Sequence, residues 1–207
     1  MNSRLLVRGL HLHHRQISCR LVAISMATVL CCAGTRSATP ARGWRIDEAE
    51  TIIAFKIEAA GFPTTRGRFT HYTGRIFIDF QHPAKSSTSF TVDSASVDLG
   101  SPSFSEFVKS PVLLNTDRFP TLSFVSTLVE KLDPRSARVT GNLTMLGVTK
   151  PINLTVNVGA DPSAKKGTIA FVATGTITRS EFGMIFGIPL IDDALELTVK
   201  TRALTDG

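Results

Sequence analysis

Beyond residue 32 the chain contains no cysteine; its three, Cys19, Cys31 and Cys32, all precede that point. Thiol catalysis, cysteine-ligated metals and disulfide staples are excluded from everything that follows, so that part must be held by its own core. Large aromatic platforms are equally scarce, with one tryptophan and one tyrosine in 207 residues. Acidic residues are missing from positions 1–41, which carry five arginines. Taking those five from the 23 basic residues leaves 18 against 17 acidic, a net of +1. The formal charge of +6 is therefore concentrated in the N-terminal segment. A near-neutral body without a basic stripe or stacking aromatics excludes nucleic-acid binding.

Long apolar runs are also lacking. Residues 21–34 are apolar or small throughout, but these 14 residues fall short of the roughly 20 that a membrane-spanning helix needs. Preceded by Arg4, Arg8, Arg15 and Arg20, they read as the core of a secretory signal. Small residues at Cys31-Cys32-Ala33 or Thr39-Pro40-Ala41 offer cleavage points. Residues 1–41 are thus expected to be a signal peptide and 42–207 a single exported domain.

Catalytic and metal-binding patterns are absent as well. No serine sits in a Gly-x-Ser-x-Gly elbow. The exported part has two histidines, His71 and His82, without an HxH or HExxH spacing. Asp192 and Asp193 are too few for a calcium cage and read as a solvated turn. The expectation is no catalytic residue, no metal and no cofactor.

What is present is alternation. Leu143 and Met145, then Ile152, Leu154, Val156 and Val158, alternate with polar residues across a turn at Leu146-Gly147; a period of two means a sheet with one buried face. The same texture recurs in Ile53, Phe55 and Ile57; in Ile76, Ile78 and Phe80; and in Phe90 and Val92. It continues through Leu122, Phe124, Ser126 and Leu128, then Phe171, Ala173, Gly175 and Ile177, and finally Leu195, Leu197 and Val199. Phe69 and Phe77 fall on the other parity from Ile76, which implies a register shift, expected at Gly74. Ser103-Phe104-Ser105-Glu106 reads as a capping box opening one short helix near residues 103–110. The expected fold is all-β: an eight-stranded antiparallel barrel with that helix plugging one end. A two-sheet sandwich is the rival architecture. Arg179 is the most motif-like polar residue. It has two readings: a cap on free carbonyls in a barrel-closing turn, or a contact to a ligand headgroup.

Several motifs fall in one order along the chain: Trp44-Arg45-Ile46-Asp47, Gly67-Arg68-Phe69, Gly74-Arg75-Ile76, residues 115–124 (NTDRFPTLSF), Gly141-Asn142-Leu143-Thr144, residues 146–151 (LGVTKP) and Arg179-Ser180-Glu181-Phe182-Gly183. Together they resemble the YceI-like family, a lipocalin-like group that binds polyisoprenoids. The resemblance covers about residues 44–204. It implies a periplasmic protein that encloses one isoprenoid lipid or quinone tail non-covalently. It also implies a homodimer, and transient membrane contact follows from such a ligand. Two departures stand out. Glu58-Ala59-Ala60-Gly61 lies where a histidine is usual, and the helical insert lacks the family's acidic and histidine pattern.

Strand parity nominates Phe55, Ile57, Ile76, Ile78, Phe90, Phe124, Leu143, Phe171 and Leu197 as ligand-lining residues. Two alternatives carry different expectations. One is an enzyme working at the barrel mouth through Arg179, Glu181 or His71. The other is an interaction module with a filled core.

Overall fold

The computed structural model describes residues 42–159 and 168–205; the expected signal peptide lies outside the described residues, as does the segment from Asp161-Pro162 to Gly167, which reads as a turn in the sequence. The strands are β1 (Arg42–Ile46), β2 (Ile52–Ala59), β3 (Phe62–Phe69), β4 (Tyr72–Ile78), β5 (Ser87–Asp93) and β6 (Val97–Asp98). They continue with β7 (Thr121–Asp133), β8 (Ser136–Met145), β9 (Val148–Gly159), β10 (Thr168–Thr178) and β11 (Ala194–Thr205), with one α-helix among the described residues, α1 (Pro102–Lys109). All strands join one antiparallel sheet.

Among the described residues the expected count of eight strands becomes eleven, because three long runs are each broken once. A 3-10 turn at Glu48–Glu50 separates β1 from β2, Thr70-His71 separates β3 from β4, and a 3-10 turn at Ser94–Ser96 separates β5 from β6. His71, which the sequence places in a strand beside Tyr72, thus lies in a break. These breaks are stitched by side chains. Thr51 and Thr201 share a hydroxyl hydrogen bond of 2.7 Å, the Tyr72 hydroxyl donates to the Thr51 carbonyl, and Asp93 accepts from the Ala95 amide at 2.9 Å.

Across the breaks the pairing stays continuous. β11 pairs with β2 through residues 196–200 and with β1 through 203–205, while β1 also pairs with β4. The ring β1-β4-β5-β7-β8-β9-β10-β11 therefore closes with eight staves, and β2, β3 and β6 extend three of them upward. Closure removes the exposed edges of an open sheet and rules out the sandwich.

Two register shifts decide which side chains face inward. The slip expected at Gly74 falls instead at Thr70-His71: Gly74 sits within β4, paired with Phe90. That break lets Phe69 and Ile76, seven residues apart, both face the interior. In β7 a bulge between Ser126 and Leu128 turns Leu128 outward, where it is 45% exposed, and Val129 inward. The expectation that Leu128 shares a face with Phe124 is corrected accordingly.

The helix starts earlier than the capping-box pattern predicts. Pro102 occupies the first turn with Ser101 as N-cap, a place where proline's missing N–H and fixed φ cost nothing. Glu106 pairs with Lys109 at 2.9 Å and not with the helix start. Ser105 accepts from the Leu99 amide at 3.1 Å and donates to the Ser101 carbonyl at 2.9 Å, tying α1 to β6. Between β8 and β9, Leu146 (φ 53°) and Gly147 (φ 75°) form a two-residue turn with positive φ at both positions, the hairpin type whose twist matches the flanking strands.

Close approach also explains Gly141. A Cβ there would lie 2.4 Å from the Phe124 ring and 2.7 Å from the Val125 carbonyl oxygen. Because backbone cannot step aside, Gly141→Ala is expected to destabilise by about 1–3 kcal/mol, read from the urea unfolding midpoint. Gly159→Ala, whose new Cβ would meet nothing nearer than 3.5 Å, should stay within about 0.5 kcal/mol of the parent.

Candidate functional site: an apolar cavity inside the barrel

Because the staves alternate, every second side chain projects into the barrel. There they surround a cavity of about 440 Å³. Phe55 and Ile57 reach it from β2, Ile76 and Ile78 from β4, and Phe90 from β5. Phe124 comes from β7, Leu143 from β8, Phe171 from β10 and Leu197 from β11. All nine positions nominated by parity thus line one space. Their burial divides them: Phe124, Leu143 and Phe171 are buried, while the other six are only half-buried although they point inward. An inward apolar side chain that remains half-accessible borders unfilled space. A filled core would have covered it, so the cavity counts against the filled-core interaction module.

Parity also held the signal for Val156, Ala173 and Val199, which line the same wall and were not nominated. Val129 was hidden by the β7 bulge. The helix contributes Phe104, Phe107 and Val108 to the lining, where the sequence had implied only a plug. Phe107 meets Phe186 edge-on at 5.4 Å, joining α1 to the loop between β10 and β11. Around this end Phe62, Phe104, Ile185 and Leu190 are 64–73% exposed, an apolar rim. Among the described residues no three histidine, cysteine or acidic side chains come together.

Arg179 is 1% exposed. Its Nε donates to the Asp192 carbonyl at 2.7 Å, Nη1 to those of Met184 (3.1 Å) and Phe186 (2.8 Å), and Nη2 to that of Ile191 (2.9 Å). The planar fork gathers four carbonyls of one loop, as the flexible point charge of a lysine could not. Burial pulls its pKa below the ordinary value, while Asp193 and Asp192 push the other way. Of its two readings, this geometry supports the carbonyl cap. Asp193 is no idle turn residue either: it accepts from the Ser180 hydroxyl at 2.5 Å and the Ser180 amide at 2.8 Å. Those bonds, with Arg179 nearby, hold its pKa below the usual aspartate value.

A closed antiparallel barrel around an apolar cavity is the architecture of a lipocalin-like binding fold. Within that class the chain belongs to the YceI-like domain family, whose model matches residues 44–203. Protein YceI of Shigella flexneri is 30% identical over 189 residues, covering 89% of this chain and 96% of that protein. In three dimensions the chain resembles BcnA of Burkholderia cenocepacia, with a TM-score of 0.70 at 23% identity over 76% of this chain and 98% of BcnA. A polyisoprenoid binding domain from Saccharophagus degradans aligns with a TM-score of 0.62 at 14% identity, covering 78% of this chain and 98% of that domain.

Replacing Arg179 by alanine would strip four carbonyls of their charged donor. The expected loss of unfolding free energy exceeds about 3 kcal/mol, against about 0.5 kcal/mol or less for Glu181→Ala on the exposed side. Asp193 generates a pH dependence. A carboxylate with a depressed folded pKa stabilises fully above its unfolded pKa and loses that contribution as pH falls through the folded value. Hydrogen exchange in residues 183–193 should therefore accelerate only below the ordinary aspartate range of about 3.9, and Asp193→Asn should flatten that acid response.

Proposed function

We propose that this protein is a periplasmic carrier or reservoir that holds one isoprenoid chain, such as a polyprenyl lipid or a quinone tail, along the barrel axis. The observation that carries the reading is the inward, half-buried apolar wall contributed by all eight staves. It offers a long flexible hydrocarbon contact on every side and almost nothing to hydrogen-bond. A cavity of this volume lies within the range of small-molecule sites, about 300–1,000 Å³. Family membership supports the binding role, as does the likeness to a domain described as polyisoprenoid-binding. The apolar rim at Phe62, Phe104, Ile185 and Leu190 continues the cavity wall to the surface through Phe104, which belongs to both. A chain leaving a lipid surface could follow that path without crossing water. No step in this role requires a catalytic group, so the reading is a binding protein and not an enzyme.

Affinity should grow with tail length. At about 0.3 kcal/mol per non-hydrogen atom for larger ligands, each five-carbon unit adds about 1.5 kcal/mol, close to tenfold. A series of prenols of increasing length should therefore bind with Kd falling about tenfold per unit until the cavity is full. Ala173 lines the cavity with a small side chain, so Ala173→Trp should move that plateau to shorter tails while leaving the thermal midpoint nearly unchanged. Affinity indifferent to tail length, or no lipid recovered by native mass spectrometry from protein isolated from a bacterial periplasm, would refute the carrier.

A further inference from the structure

The cavity reaches both ends of the barrel, and the two ends differ in chemistry. At the α1 end Phe104, Phe107 and Ile191 make its lining apolar. Among the described residues, five lining side chains are ionisable: Asp79, Lys131, Asp133, Arg135 and Arg179. Arg179 belongs to the α1 end and is spent on four carbonyls. The other four stand at the opposite end, around the β7–β8 turn and just after β4.

Strand register makes the two cations there more than surface charge. Val129 pairs with Val139, and Lys131 with Ala137, across β7 and β8. Val129, Val139 and Ala137 all line the cavity, so Lys131 takes the next inward position after a rung with valine on both strands. On the outward side of the same hairpin, Glu130 and Arg138 meet each other at 3.9 Å. Lys131 and Arg135 form no ion pair among the described residues.

Arg135 is presented by a braced turn. Asp133 accepts from the Arg135 amide at 2.8 Å and from the Ser136 hydroxyl, and the Arg135 carbonyl accepts from the Val158 amide at 2.8 Å. The bonds from Ser136 and the Arg135 amide, with a smaller push from Lys131, hold the Asp133 pKa below its ordinary value. Asp79 is engaged likewise: it accepts from the amides of His82 at 2.8 Å and Gln81 at 2.9 Å, and meets the His82 ring at 3.3 Å. The acids at this mouth are thus committed to local donors, while the two cations keep theirs.

We propose that Lys131 and Arg135 bind the anionic oxygen head of the cavity's ligand, a phosphate or carboxylate, with its tail running towards α1. This rests on the carrier reading and adds the ligand's charge and direction. Arg135 offers a planar fork matched to either anion, and Lys131 a flexible point charge. Both side chains are exposed, so the head keeps part of its hydration and the cost of a fully buried ion pair does not arise. The apolar remainder of the wall has nothing to compensate such a charge.

Three probes with matched tails, titrated into the full chain, separate the cases: farnesol, farnesyl phosphate and farnesoic acid. At low salt an anionic probe should bind about tenfold tighter than farnesol, the gain from one charge-assisted contact. Salt at about 1 M should remove most of that advantage. Lys131→Gln combined with Arg135→Gln should bring the anionic probe back to the affinity of farnesol and leave farnesol binding unchanged. Arg66→Gln, which removes an exposed cation of β3 outside the cavity lining, should alter neither. A gain for the phosphate alone or the carboxylate alone supports the site and identifies its head. Anionic probes that bind no tighter than farnesol overturn the inference with the carrier intact, as does a preference that survives the double variant. Binding by none of the three overturns the carrier reading and this inference together. In the parent protein the anionic probe should also shift the Arg135 Nε–H signal and farnesol should not. An identical response to both overturns the inference even if the double variant does not fold.

Discussion

The cavity exists because several inward aromatic side chains lie flat against the wall. A Cβ at Gly67 would stand 2.3 Å from the Phe55 ring, one at Gly74 would stand 2.8 Å from Phe90, and one at Gly141 would stand 2.4 Å from Phe124. Each ring fills the vacancy left by a missing side chain on an adjacent stave, the same cover that rescues glycine in designed sheets. With any side chain at those positions the rings would have to swing towards the axis, where eight staves leave room for little more than one layer of side chains. Small residues thus do two things at once. They satisfy packing at the wall and keep the centre open.

The two ends of the barrel are built differently. At the α1 end, Arg179 binds four carbonyls of one loop, and the fully buried Ser94 donates to the Phe119 carbonyl at 2.6 Å, anchoring the segment that follows the helix. Phe119 in turn covers Gly147 at the β8–β9 turn. These residues belong to the motifs that carry the family resemblance: NTDRFPTLSF, LGVTKP and Arg179-Ser180-Glu181-Phe182-Gly183. Their roles here are turns, caps and docking. The positions that face the cavity need only be apolar and of suitable size, so they leave a weaker mark on the sequence than the joints do.

That difference explains what could be read in advance. Period-two alternation is a local property, so Phe55, Ile57, Phe90, Leu143 and Leu197 could be assigned to the inside without knowing their neighbours. Register shifts are not local. Leu128 was misplaced because a one-residue bulge in β7 reverses parity without a glycine or proline to announce it. Gly74 attracted the shift belonging to Thr70-His71 because a glycine in a strand marks either a bulge or a close approach, and here it marks the approach of Phe90. The broken staves turned eight expected strands into eleven for the same reason: a 3-10 turn such as Ser94–Ser96 keeps the pairing direction and alters only the count. The capping box failed through competition, since Pro102 fixes an earlier helix start than Ser103 can. Whether the apolar interior was solid or hollow could not be read at all, because composition is the same for both.

Burial resolves that last question and bears on stability. Near α1, Leu114 and Met184 are buried although they border the cavity, packed with the buried Phe182 into the core. Along the rest of the axis, Phe55, Ile57, Ile76, Ile78, Phe90 and Leu197 keep part of their surface accessible although they face inward. At about 25 cal/mol per Å², apolar surface left facing a void is stabilisation that the empty barrel forgoes. A ligand that covers this surface binds the folded state and has no equivalent site on the unfolded chain, so occupancy and folding are thermodynamically linked. The linkage favours flexible hydrocarbon over rigid ligands, because the rings over Gly67, Gly74 and Gly141 fix an uneven wall that only a chain with many rotatable bonds can follow. The same glycines that thin the wall therefore set both the stability withheld from the empty barrel and the shape of what restores it.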